Sequence, residues 1–115
     1  MKLGYRSKKV ARYFNDFILF KKEKGPELAI AAKLRIDQLK AAENFQLYLD
    51  TGLGRPHPLA GNFHKSYGIN MTGRIRLIVT PIADNLSRES LKLCEEIVIE
   101  RVADYHGRKI EWIIP

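Results

Sequence analysis

Three histidines, His57, His64 and His106, are the groups in this chain best suited to move protons near neutral pH. Arg55 and Lys65 flank the first two, within a segment, residues 51–83, that also carries Arg74 and Arg76 and holds no acidic side chain. The third closes the triplet Asp104-Tyr105-His106, in which a carboxylate and an imidazole lie two residues apart. Such a set meets the needs of metal-free RNA cleavage. A base removes the ribose 2′-OH proton, so that this oxygen attacks the adjacent phosphorus. A cation steadies the phosphoryl charge, and an acid protonates the departing 5′-oxygen. Imidazole serves either proton-transfer role, and Arg offers phosphate a two-pronged contact. Each residue also fits a plainer part: loop histidines are ordinarily solvated, strand-end tyrosines ordinarily pack, and two arginines on one strand face ordinarily meet water. His57 and His64 are seven residues apart, which matches no zinc spacing, so no metal or cofactor is expected.

The elements that must hold these groups follow from periodicity. Residues 2–6 read as a short strand, with Leu3 and Tyr5 on one face. Ser7 is placed to cap a helix reaching about Lys22, with Val10, Phe14, Phe17 and Ile18 on one stripe and Tyr13 and Phe20 off it. Lys24-Gly25-Pro26 stops that helix and starts another over 26–43, with Leu28, Ala32, Ile36 and Leu39 facing one way. Phe45, Leu47, Tyr48 and Leu49 suggest one more helical turn, and 52–62 reads as a loop. The pattern then alternates. Residues 65–70 and 74–80 form a predicted hairpin across Met71-Thr72-Gly73, with Arg74, Arg76 and Ile78 on one face and Ile75, Leu77 and Val79 on the other.

Pro81 ends that strand, and 83–93 is a polar connection, partly helical. A strand over 94–105 would put Ile97, Ile99 and Tyr105 on one face and Val98, Val102, Asp104 and His106 on the other, unless a twist or bulge brings Tyr105 round. Gly107-Arg108 turns the chain into a last strand, 110–114. The expected fold is α+β: one domain, 1–115, with a short first strand and two N-terminal helices packed on one face of a mainly antiparallel sheet.

Composition narrows the partners. Net charge is +7, from 20 Lys and Arg against 13 Asp and Glu, and it is concentrated. Residues 1–25 hold eight basic and two acidic side chains, and 51–83 hold four basic ones. One electropositive face results if the fold joins these segments, and such a face attracts a polyanion through counterion release. Cys94 is alone, so no internal disulfide forms. No apolar run has the length of a membrane span, and basic residues interrupt the N-terminal segment where a signal peptide would need an apolar stretch. A cytoplasmic protein is expected.

Two stretches carry a family resemblance. Residues 55–81 contain His57-Pro58-Leu59-Ala60-Gly61, then a turn and Arg76-Leu77-Ile78-Val79-Thr80-Pro81. They resemble the central hairpin of HigB-type toxins of the RelE/ParE superfamily, which reads H-x-L-x-G followed by R-L-I/V-F-x-P. Residues 95–106, ending in Asp104-Tyr105-His106, resemble the strand that closes on Asp-Tyr-His in the same proteins. The resemblance implies the RelE/ParE-like fold and a type II toxin that cuts mRNA on the ribosome. It implies His57, Arg76, Asp104, Tyr105 and His106 as the cutting site, with Arg74 in the place of Arg76 if the register slips by two. His57 and His106 would then share proton transfer.

By the same resemblance, Lys8, Lys9, Arg12, Lys21 and Lys22 lie on ribosomal RNA, with Arg55, Lys65 and Arg74 contributing. The implied partners are the ribosome, mRNA and a HigA-like helix-turn-helix antitoxin. Relatives on that fold inhibit DNA gyrase instead, and a basic module that only binds nucleic acid is a further alternative. The chain departs from the pattern at Val79, where an aromatic is usual. It departs also in the longer 83–93 connection and in the nine residues after His106, which could add an edge strand and crowd the site.

Overall fold

Leu3 and Tyr5 lie in the first strand, β1 (Lys2–Tyr5), of the computed structural model, which describes residues 1–115. The Ser7 hydroxyl accepts from Val10 N at 3.2 Å and caps α1 (Lys8–Asn15). The single helix expected to Lys22 is in fact two. Asp16 leaves helical geometry (φ −131°, ψ 90°), and its carboxylate accepts from Leu19 N at 3.0 Å as the cap of α2 (Phe17–Lys24). A short acidic side chain bonds its own backbone more readily at a helix start than in a helix interior. The break resets the helical phase and corrects the expected stripe. Val10, Tyr13 and Phe20 are buried, whereas Phe17 and Ile18 are exposed. Phe14 is half-buried and stacks on Tyr5.

Gly25, at φ 92°, and Pro26 redirect the chain into α3 (Pro26–Ala41), whose buried side is Leu28, Ala29, Ala32, Ile36 and Leu39. A fourth helix, α4 (Phe45–Thr51), is capped by Asn44 and buries Phe45 and Tyr48. The strands follow: β2 (His57–Pro58), β3 (Tyr67–Asn70), β4 (Ile75–Pro81), β5 (Glu96–His106) and β6 (Lys109–Ile114), with α5 (Arg88–Lys92) between β4 and β5. The segment read as a loop thus holds the two-residue β2, paired with β3, and Gly61–Phe63 forms a 3-10 turn.

The strands make one sheet in the order β1-β5-β4-β3-β2, with β6 sharing with β1 the remaining edge of β5. Only β1–β5 is parallel; the other four pairings are antiparallel, and no two consecutive strands pair in parallel. The fold is therefore α+β, with a mixed and mainly antiparallel sheet. No helix is long and apolar enough to cross a membrane.

One irregularity decides which groups meet. Ile78 pairs with Arg101 and Val79 with Ile99, so Glu100 is an extra residue in β5. This bulge shifts the alternation by one. Ile97, Ile99 and Val102 consequently share a face, against the expected split, and all three join the core with Ile69, Leu77, Val79 and the helices. Beyond the bulge the face of Val102 continues into Asp104 and His106. The opposite face carries Arg76, Ile78, Arg101, Ala103 and Tyr105 and lies outside the main core.

Candidate functional site

Asp104 and His106 share a strand face, as their spacing predicts, and they meet. His106 Nε2 lies 3.2 Å from Asp104 Oδ2. The hairpin after His106 brings in a third group. Gly107, at φ 58°, and Arg108 form a two-residue turn that pairs His106 with Lys109 and Asp104 with Glu111. Glu111 Oε2 then lies 3.4 Å from the same His106 nitrogen. Arg74 comes from the β3–β4 turn, with Nε 3.5 Å from Asp104 Oδ1.

Neither carboxylate forms a hydrogen bond of good geometry with the imidazole. His106 Nε2 and Asp104 Oδ1 are both shielded from solvent and left without a hydrogen-bond partner. Their contacts are therefore close approaches rather than directed hydrogen bonds. One ligating atom from each of Asp104, His106 and Glu111 falls within 4.8 Å of the others, so this is the group of side chains that could hold a metal.

Arg76 belongs to the other face. It pairs with Ala103, diagonal to Tyr105, and its Nη1 donates to Gly73 O at 2.8 Å and Ile75 O at 3.2 Å. Of the two arginines, Arg74 therefore reaches the Asp104–His106 pair. Arg76 stands close enough to Tyr105 to favour the ionised phenol, but burial outweighs it and raises the Tyr105 pKa. Tyr105 is thus a hydrogen-bond donor at neutral pH and not a base. No twist or bulge brings it round: Ala103 to His106 pair regularly with β6.

His57 is also on the open face, opposite Gly68, and its ring lies where a Gly68 side chain would stand: a Cβ there would be 3.2 Å from His57 Nε2. The path from His57 to His106 crosses three strand spacings and five residues of β5, roughly 20 Å, and ends on the opposite face. The structure does not bring these two histidines together. His64 is exposed after the 3-10 turn, its Nδ1 3.3 Å from Gly61 O.

The basic residues are likewise divided. Lys8, Lys9 and Arg12 line one shallow cleft with Tyr13, Leu19 and Glu23, and Lys21 and Lys22 are exposed on α2. Helix α1 packs near β1 and β5, whereas Arg55 and Lys65 flank β2 at the far edge of the sheet. The two positive segments do not merge into one face. Arg55 holds φ 46°, a left-handed value unusual outside glycine.

The sequence reading missed Glu111, Arg101 and Trp112. Glu111 follows from the register that a two-residue Gly107-Arg108 turn imposes, a signal present in the chain. Arg101 packs over the Trp112 ring at 4.6 Å, and Phe63 meets that ring edge-on at 5.9 Å. Arg101 and Trp112 share a face by that same register, but that this is the face Phe63 covers depends on the bulge at Glu100, for which the sequence holds no local sign. Cys94 is buried, and burial pushes its thiol pKa up, which disfavours the thiolate. Comparison with known protein families, with curated proteins and with solved structures finds no match for this chain.

Proposed function

We propose that this protein is a type II toxin of the RelE/HigB kind that cuts mRNA on the ribosome, acts in the cytoplasm and is neutralised by a helix-turn-helix antitoxin. One observation carries the reading: an imidazole 3.2 Å from a carboxylate with a guanidinium on that carboxylate's other oxygen, all at one end of a basic domain's sheet. In the proposed step His106 takes the ribose 2′-OH proton, the 2′-oxygen bonds to phosphorus, and the P–O5′ bond breaks. The 5′-oxygen takes its proton from water, and a cyclic 2′,3′-phosphate remains. Asp104 stabilises the imidazolium that forms, and the exposed Arg74 steadies the phosphoryl charge.

Pulse expression tests this. Wild type should stop protein synthesis, leave DNA synthesis running at first, and produce new mRNA 5′ ends. His106→Ala should lower cutting by roughly 10²–10⁴-fold. The roughly 20 Å between His57 and His106 favours a second reading, a basic domain that binds nucleic acid without cutting. Undiminished toxicity in a folded His106→Ala variant, with mRNA intact, would decide for that one. Loss of replication before translation would point to a gyrase-directed toxin.

A further inference from the structure

We infer that Asp104, His106 and Glu111 form a binding site for one divalent transition-metal ion of the zinc class. The inference needs only these three side chains and stands whether or not the protein cuts RNA.

Two carboxylates converge on one imidazole nitrogen, at 3.2 Å and 3.4 Å. Two ligand atoms on a zinc ion, each bonded at about 2.0–2.1 Å with tetrahedral angles, stand roughly 3.3–3.4 Å apart. These two separations are those of ligands around a shared centre, and the ligating atoms of all three side chains lie within 4.8 Å of one another. A ring N–H aimed at either oxygen would make a hydrogen bond, and neither contact has that geometry, so the nitrogen is left unpaired although it is shielded from water. A cation among the three groups would give this nitrogen and both carboxylates a partner at once.

The surroundings fit an ion. Asp104 turns its second oxygen towards Arg74 Nε at 3.5 Å, which leaves Oδ2 for the metal. Asp104 and His106 are mostly covered, Asp104 paired with both β4 and β6 and His106 with β6, whereas the Glu111 side chain is 74 % exposed and free to close over the ion. A single nitrogen with two carboxylate oxygens suits zinc, nickel or manganese better than magnesium, which prefers oxygen and gives up its waters reluctantly. Three protein ligands leave a coordination position open, the arrangement of sites that bind a further ligand. A metal on His106 Nε2 takes the place of the Asp104 contact that would steady the imidazolium in the proposed RNA cleavage, so zinc would inhibit such cleavage.

The test is calorimetric titration of the chelator-treated full chain with zinc chloride. We expect about one ion per chain, little competition from excess magnesium, and a higher unfolding temperature with zinc. His106→Gln should abolish the site, and Glu111→Gln should weaken it by roughly tenfold or more. His57→Ala with His64→Ala should leave it intact. Circular dichroism of the metal-free variants checks that they fold. The inference is overturned by no binding to a folded wild type, by equal competition from magnesium, or by stoichiometric binding that survives His106→Gln. Loss of binding in the His57 and His64 variant would assign the metal elsewhere and would equally sink it. RNA cleavage is read separately on metal-free protein, so neither result decides the other.

Discussion

His57 and His106 can be told apart by whether their losses add. Residues acting on one chemical step are strongly non-additive, because removing either disables the step. Residues far apart and without shared partners add. With roughly 20 Å and a sheet between them, the expectation of shared proton transfer gives way to independence. The log-scale losses of His57→Ala and His106→Ala in mRNA cutting should therefore sum in the double variant. A His57→Ala loss that is large in the wild-type background and vanishes in the His106→Ala background would restore the two-histidine mechanism. At this scale, legibility in the sequence depended on how local each relation was. Asp104 and His106 were readable because two residues apart on a strand is one face. Arg74 and Arg76 were not separable, since which one reaches Asp104 depends on where β4 leaves the turn, and β4 begins at Ile75. Glu111 needed the register of a strand pair, one step further from the chain.

The elements show what periodicity can and cannot do. It found β1, the apolar stripe of α3, the β3–β4 hairpin and the strand that ends on His106, because each repeats a pattern over several turns or pleats. It failed at Asp16 and Glu100, where one residue changes the phase of everything after it. The join between helices and sheet rests on a third such point. Gly54 holds φ 75°, and its carbonyl accepts from Asn70 N at 2.7 Å. Arg35 Nε donates to Asn70 O at 2.8 Å, and the Tyr48 hydroxyl donates to Leu53 O at 2.6 Å. This knot ties the end of β3 to α3 and α4. A Cβ on Gly54 would stand 2.6 Å from Ile69 Cγ2 and 3.0 Å from Arg35 Nε. Ile69 is fully buried and cannot yield without disturbing the core. Gly54→Ala combines backbone strain with overpacking and should cost roughly 2–4 kcal/mol. Chemical denaturation measures it. Gly61→Ala, also at positive φ but with open space around it, controls for strain alone and should cost less.

On the scale of the whole molecule, the basic charge lies in two places, and each predicts a different docking of RNA. One is the α1 patch of Lys8, Lys9 and Arg12, over the β1 side of the sheet. The other is the helix-free sheet face, where Arg76 and Arg101 stand among Tyr105, Phe63 and Trp112, with Arg55 and Lys65 at its far edge. Single-stranded RNA favours surfaces that alternate cations with aromatic rings, because bases stack while phosphates pair. The sheet face has that character, whereas the one ring in the α1 cleft, Tyr13, is buried. Trp112 is the only tryptophan, is 40 % exposed and carries Arg101 over its ring, so its fluorescence reports on this face alone. An oligoribonucleotide bound there should change the Trp112 emission saturably, and added salt should reverse the change as counterions compete. Arg101→Ala should weaken binding, whereas Lys8→Glu with Lys9→Glu should leave the emission change in place and reduce only association with ribosomes. If the oligonucleotide binds, by an independent measurement such as filter retention, without altering Trp112 emission, and the α1 variant abolishes that binding, then the helical patch and not the open sheet is where RNA lies.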